Sequence, residues 1–242
     1  MDGYVWQVAV QDQWKKCMAR YGFRDFGPPP VSEQSVTAQT NSAMGRRYGI
    51  SDPALALKYG YHLPAETEEP PHWEPAQGAE SAVFTGTGVE VESGVYEGER
   101  VPEGGCRGEA RRMFPMPQTP EAQQLGAVVF EQSRTDSDVV SAVAKWSSCM
   151  GEKGYERNHP LEDLRELGIS LSSPVTEGEI AQAIADVACK EETGLVKIWN
   201  AQESEKQEKV IAENASKLTE EKSVKEASDA KVRQAYTAAS NR

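Results

Sequence analysis

A cysteine-centred signature occurs twice in this chain. Trp14-Lys15-Lys16-Cys17-Met18, followed by Gly22-Phe23, matches Trp146-Ser147-Ser148-Cys149-Met150, followed by Gly154-Tyr155. Each copy has one further cysteine downstream. Cys106 is followed by Arg107 and then Glu109, and Cys189 by Lys190 and then Glu192. The pattern predicts a duplicated unit with two cysteines per copy. Four cysteines allow three pairings; internal symmetry favours Cys17–Cys106 and Cys149–Cys189. Each bridge would close a loop of tens of residues and stabilise by a few kcal/mol, roughly. Matched pairs suit an oxidising compartment. Structural zinc sites use close pairs such as C-x-x-C, whereas every cysteine here stands alone, so neither a metal nor a thioredoxin-type redox role is expected. No cofactor is expected either.

The formal net charge of −12 narrows the partners. Excess carboxylate repels phosphate backbones and anionic head groups, which argues against nucleic acid and acidic membranes. No run approaches the roughly 20 apolar residues that span a bilayer. Met1-Asp2-Gly3-Tyr4 lacks the basic start and apolar run of a signal peptide. With the paired cysteines, the expectation is a mature extracytoplasmic chain, secreted or lipid-anchored, whose leader is not part of this sequence.

Helical periodicity dominates. Val10, Trp14, Cys17, Met18 and Tyr21 recur at three- and four-residue steps, predicting a helix from Val5 to Tyr21 that stops at Gly22. Pro28-Pro29-Pro30 and a polar stretch to Thr40 end that unit. Ser51-Asp52-Pro53 opens a short helix that stops at Gly60. Residues 64–104 hold ten glutamates and one arginine. Within them, Ala82–Val91 and Val95–Val101 read as a hairpin turning at Ser93-Gly94. Helices follow at Arg107–Met113, Thr119–Gln132 and Asp136–Lys153, with a short one after Pro160 carrying Leu161, Leu164 and Leu167. The longest pattern starts at Thr176 and carries Ile180, Ile184, Val187, Leu195 and Ile198. Beyond Ala201 the chain has strong helix propensity and little apolar face, predicting a projecting or fraying helix.

The expected fold is therefore mainly α with a small β-hairpin: two related disulfide-stapled helical halves plus a long C-terminal helix. The boundaries read as 1–118, 119–204 and a charged tail at 205–242.

Several segments resemble a group of secreted or lipid-anchored actinobacterial proteins with no assigned activity. They are Cys17–Phe23, Arg46–Ile50, Lys58–His62, Val101–Cys106 and Ala185–Leu195. The resemblance implies an extracytoplasmic location and a removed leader, and it transfers no catalytic residue.

Chemistry-bearing residues are sparse. None of His62, His72 and His159 sits in a metal-binding spacing, and no serine sits in G-x-S-x-G. Glu109 and Glu192 occupy matching places in the two copies. A carboxylate pair can drive hydrolysis when suitably spaced, but duplication explains the match as well. Tyr48, Tyr59, Tyr61 and His62 form a Tyr-rich segment that could contact a ligand. Trp73, among prolines and glutamates, could stack on a sugar or peptide. The leading expectation is a non-catalytic binding or interaction protein of the cell envelope, facing an unidentified protein or cell-wall component, with residues 205–242 a possible helix-mediated contact. The alternative is an extracytoplasmic hydrolase using Glu109, Glu192 or His62.

Overall fold

Helix α1, Gly3–Arg20, ends as the first signature ends. Gly22 takes a left-handed φ of 89°, and Phe23 N–H donates to Met18 O at 3.2 Å. Helix α6, Ser137–Glu152, ends the same way: Gly154 has φ 86°, and Tyr155 N–H donates to Met150 O at 3.0 Å. The left-handed turn admits glycine without steric cost and folds the next aromatic residue back onto the helix. In this computed structural model, residues 3–30, 33, 45–63, 73–116, 118–170 and 173–240 are described. His72 and most of the polar stretch to Thr40 lie outside them.

The chain forms two compact units that interleave along the sequence. One comprises Met1–Thr37, Thr67–Thr119 and Glu220–Arg242; the other comprises Ala38–Glu66 and Pro120–Thr219. These boundaries differ from the sequence division at 118 and 204. Residues 38–66 join the second unit, and the presumed tail is shared between the two.

In the first unit, α1 packs on α3 (Ala79–Thr85) and α4 (Gly105–Met113). A disulfide joins Cys17 of α1 to Cys106 of α4, with Cα atoms 5.5 Å apart. Strands β1 (Val95–Tyr96) and β2 (Glu99–Arg100) form a short antiparallel hairpin in the register Val95↔Arg100 and Tyr96↔Glu99. Its turn is Glu97-Gly98, both at positive φ (48° and 87°), as a type I′ hairpin loop requires. The longer hairpin expected from Ala82 is thus corrected. Residues 79–85 are helical because Ala79 and Ala82 favour helix, Val83 and Phe84 reach the core, and Gly86 stops the helix at φ 74°. Val89–Val91 is a single 3₁₀ turn.

The second unit contains α2 (Pro53–Tyr59), α5 (Pro120–Arg134), α6, α7 (Glu177–Thr193) and α8 (Leu195–Glu213). Asp52 caps α2 by accepting from Ala54 N–H at 2.8 Å and Leu55 N–H at 3.1 Å. A disulfide joins Cys149 of α6 to Cys189 of α7, Cα atoms 5.7 Å apart. Trp146 and Trp199 are fully buried at the centre of this unit.

Two further expectations need correction. The helix after Pro160 is only a turn: Leu167 N–H donates to Leu164 O at 3.1 Å and Gly168 N–H to Arg165 O at 3.0 Å. The long pattern from Thr176 breaks at Gly194, whose φ of 67° ends α7 and starts α8. Nor is the tail merely solvated. Helix α9 (Ala215–Ser240) buries Val232 completely in the first unit, against Ala9, Val10, Ala110 and Phe114.

Candidate functional site

Helix α7 buries an unexpected face. Apolar spacing pointed to Ile180 and Ile184, yet Ile184 is 40% exposed. The face turned inward carries Glu179, Ala183, Asp186 and Lys190, all buried. Burying such charges is tolerable only when each finds partners. Residues 45–63 supply most of them.

Asp186 accepts from Trp146 Nε1–H at 2.9 Å and from the Tyr61 hydroxyl at 3.1 Å, and pairs with Lys190 Nζ at 3.1 Å. Lys190 also donates to Ile50 O at 2.8 Å. Arg157, buried despite its charge, donates to the Tyr61 hydroxyl at 2.9 Å and to Glu162 at 3.0 Å. Glu179 accepts from Tyr61 N–H at 2.8 Å, and His62 Nε2 lies 3.3 Å from its other oxygen, off a hydrogen-bonding angle. On α8, the buried Glu203 accepts from Arg47 Nε and Nη2, from the Tyr48 hydroxyl at 2.9 Å and from Gln207 Nε2 at 2.8 Å. Arg46 closes the segment on itself by donating to Tyr61 O, and to His62 O at 2.6 Å. Close approach also requires glycine: a Cβ on Gly49 would meet Lys190 Nζ at 2.7 Å and Pro160 O at 2.8 Å.

The electrostatics follow from this packing. Burial pushes the Lys190 ammonium below its usual range, with the Asp186 carboxylate opposing. Burial, then the Asp186 charge, drives the Tyr61 phenol far above its usual range. Burial likewise raises Tyr48. The hydrogen bond to Glu203 raises Arg47. Burial leads at Lys190, Tyr61 and Tyr48 and the Glu203 hydrogen bond at Arg47, which suits a packed structural clamp.

The residues anticipated from sequence are redistributed accordingly. Tyr48 and Tyr61 are buried clamp members and present no contact surface. Tyr59 is half-buried on α2, with the Lys58 ammonium 4.9 Å from its ring centre. His62 faces Glu179. Trp73 is packed into the first unit's core, edge-on to Phe26 at 5.3 Å and Phe84 at 6.1 Å, so it is no exposed stacking platform.

Glu109 and Glu192 belong to different units, each beside its own disulfide. Glu109 accepts from Arg20 at 2.5 Å and Gln13 at 2.9 Å, and the same Arg20 nitrogen lies 2.9 Å from Cys17 Sγ. Glu192 places an oxygen 3.8 Å from Cys149 Sγ. Sequence reasoning missed Glu179, Asp186, Arg157 and Glu203. The available signal was the presence of Glu179 and Asp186 in step with Ala183 on a helix next to a paired cysteine.

The second unit also carries an apolar groove of about 200 Å³ between α5 and α8, reaching the start of α9. Leu125, Gly126 and Val129 form one wall; Val210, Ile211 and Leu218 form the other. Ile211 is 56% exposed there.

Among the described residues, no group of three or more His, Cys, Asp or Glu is placed to hold a metal ion, and no helix is long and apolar enough to cross a membrane. No protein-family model, curated protein or solved structure matches the chain. The two disulfides are those of a chain that folds in an oxidising environment.

Proposed function

We propose that this is an extracytoplasmic, non-catalytic protein of the cell envelope that binds a partner protein through the α5–α8 groove of its second unit. The observation that carries this reading is the groove itself, an apolar concavity with Ile211 largely open to solvent. Apolar concavities are the usual setting of binding sites. The paired cysteines support the compartment, and the suspected kinship with secreted or lipid-anchored actinobacterial proteins would agree with it. The hydrolase alternative gains no support: Glu109 is paired with Arg20 in one unit, while Glu192 belongs to the other unit beside the Cys149 sulfur, so the two carboxylates make no pair within a unit. The similar ends of α1 and α6 support duplication as the origin of the two halves.

The test is affinity capture from the native envelope with the full chain and with Ile211→Asp. A specific partner retained by the first and lost by the second is the expected result. Capture of no specific partner by the unaltered chain would overturn the proposal. Truncation at residue 205 is unsuitable as a control, because it strips Val232 from a core.

A further inference from the structure

The two disulfides occupy matching places in the duplicated signature, yet their surroundings differ. In the first unit, Glu109 stands three residues after Cys106 and is neutralised: it accepts from Arg20 and Gln13, and Arg20 also meets Cys17 Sγ. In the second unit, Glu192 stands three residues after Cys189, but the place of Arg20, three residues after the first cysteine, is taken by Glu152. Glu192 puts an oxygen 3.8 Å from Cys149 Sγ, and among the described residues no cation pairs with it.

Access differs too. Cys149 keeps 7% of its surface open, whereas Cys17, Cys106 and Cys189 keep none. Thiol–disulfide exchange begins with attack of an external thiolate on one sulfur, so it needs a sulfur within reach. We infer that Cys149 is a thiol-exchange site, at which a small cationic thiol opens the second disulfide and stays on as a mixed disulfide, while Cys17–Cys106 remains closed.

The incoming thiolate sulfur bonds to Cys149 Sγ, and the Cys149–Cys189 bond breaks. Cys189 leaves with the electron pair as a thiolate, which takes a proton from water. No further oxidant or reductant is consumed, and attack by Cys189 on Cys149 reverses the step and expels the small thiol. Charge sets the class of thiol. The carboxylate beside the attacked sulfur repels an anionic thiol such as glutathione and attracts the ammonium group of an aminothiol. This exchange is stoichiometric and needs no C-x-x-C spacing.

The second unit is tied together beside the bridge as well. Trp146, three residues before Cys149, donates to Asp186, three residues before Cys189, at 2.9 Å. That bond joins the same two helices one turn from the disulfide, within the clamp that Tyr61 and Lys190 complete. Cys189 is therefore held near Cys149 after opening, and the exchange is a reversible modification of a folded unit.

The experiment treats the oxidised full chain briefly with cysteamine or with glutathione, traps free thiols with N-ethylmaleimide and maps the unreduced peptides by mass spectrometry. The expected early product carries cysteamine on Cys149 and N-ethylmaleimide on Cys189, with the Cys17–Cys106 peptide intact and helical circular dichroism retained. Cysteamine should react faster than glutathione. Glu192→Gln, at an exposed position, should shrink that rate ratio about fivefold, from the loss of one charge a few ångströms from the attacked sulfur. Glu109→Gln removes the same charge from the other unit and should leave the ratio in place, which separates the local carboxylate from the net charge. Should Glu192→Gln not fold, the map of the unaltered chain decides alone. Opening of Cys17–Cys106 first, or of both bonds together, would overturn the inference. So would cysteamine on Cys189, loss of helicity on labelling, absence of exchange, or a ratio that Glu192→Gln leaves unchanged. Reaction through global unfolding would spread the label over all four cysteines and would overturn it too.

Discussion

Asp186 shows how one side chain can organise a unit. Its two oxygens hold Trp146 of α6, Tyr61 of the 45–63 segment and Lys190 of its own helix. Asp186→Ala would leave the Lys190 ammonium buried without its counter-charge. The expected loss is about 3–5 kcal/mol in urea unfolding, whereas the double variant Asp186→Ala with Lys190→Met should recover much of it, since replacing a buried pair by apolar groups is often close to neutral. A double variant no more stable than Asp186→Ala would count against the clamp as an ionic device. His159 and Glu162 set a pH dependence. Burial, then the Arg134 charge, depresses His159 below its ordinary 6.5, and its Nδ1 accepts Leu161 N–H at 3.1 Å. The unfolded chain then binds the extra proton first, so stability falls as pH drops from 6.5 through the depressed value. For Glu162, hydrogen bonds from Arg157 and Asn158 outweigh burial and lower it from 4.5. Its contribution is present above 4.5 and is lost as pH falls through that lowered value. Unfolding midpoints should therefore decline from pH 7 to 4, and His159→Gln should flatten the upper part of that decline. An unchanged profile in that variant would assign the dependence elsewhere.

At the scale of elements, glycines decide where helices stop. The signature helices end where the sequence placed their stops, because Gly22 and Gly154 take left-handed turns. Gly194 was hidden inside a long apolar pattern, although it divides α7 from α8. Only one side-chain atom, Ile198 Cδ1 at 4.0 Å, approaches where its Cβ would be, so the cost of Gly194→Ala is conformational, about 1–2 kcal/mol. Thermal unfolding should shift down accordingly; an unshifted midpoint would mean that the helices can merge without loss. Gly126→Ala should do the opposite and raise stability by about 0.5–1 kcal/mol, since its helix is regular and the space is open. The hairpin was located only in part. Its turn is Glu97-Gly98, whose non-glycine left-handed residue is not a strong turn signal.

For the whole molecule, the interleaving of the units changes what truncation means. A solvated tail could be removed at little cost. Because Val232 is fully buried against Ala9, Val10, Ala110 and Phe114, deleting residues 205–242 should open the first unit. Faster amide exchange in α1 is the expected readout, and unchanged protection there would restore the tail reading. The disulfides act at this scale as well. Chain-entropy arithmetic for sequence separations of 89 and 40 gives about 4–5 kcal/mol each. Reduction should lower the urea midpoint sharply; little change would mean that packing alone holds both units.

The sequence by itself determined the helical class, the stops at Gly22 and Gly60 and the symmetric cysteine arrangement, because periodicity, glycine and proline geometry are local. Tertiary structure alone decided that α7 turns Glu179, Asp186 and Lys190 inward, that Tyr61 serves Glu179 and Asp186 as a partner, and that Tyr48 serves Glu203 of α8. It also decided that Val232 joins a distant core. A charge on a helix reads as solvent-facing until a complementary group from elsewhere in the chain meets it, and that meeting depends on contacts separated by more than a hundred residues.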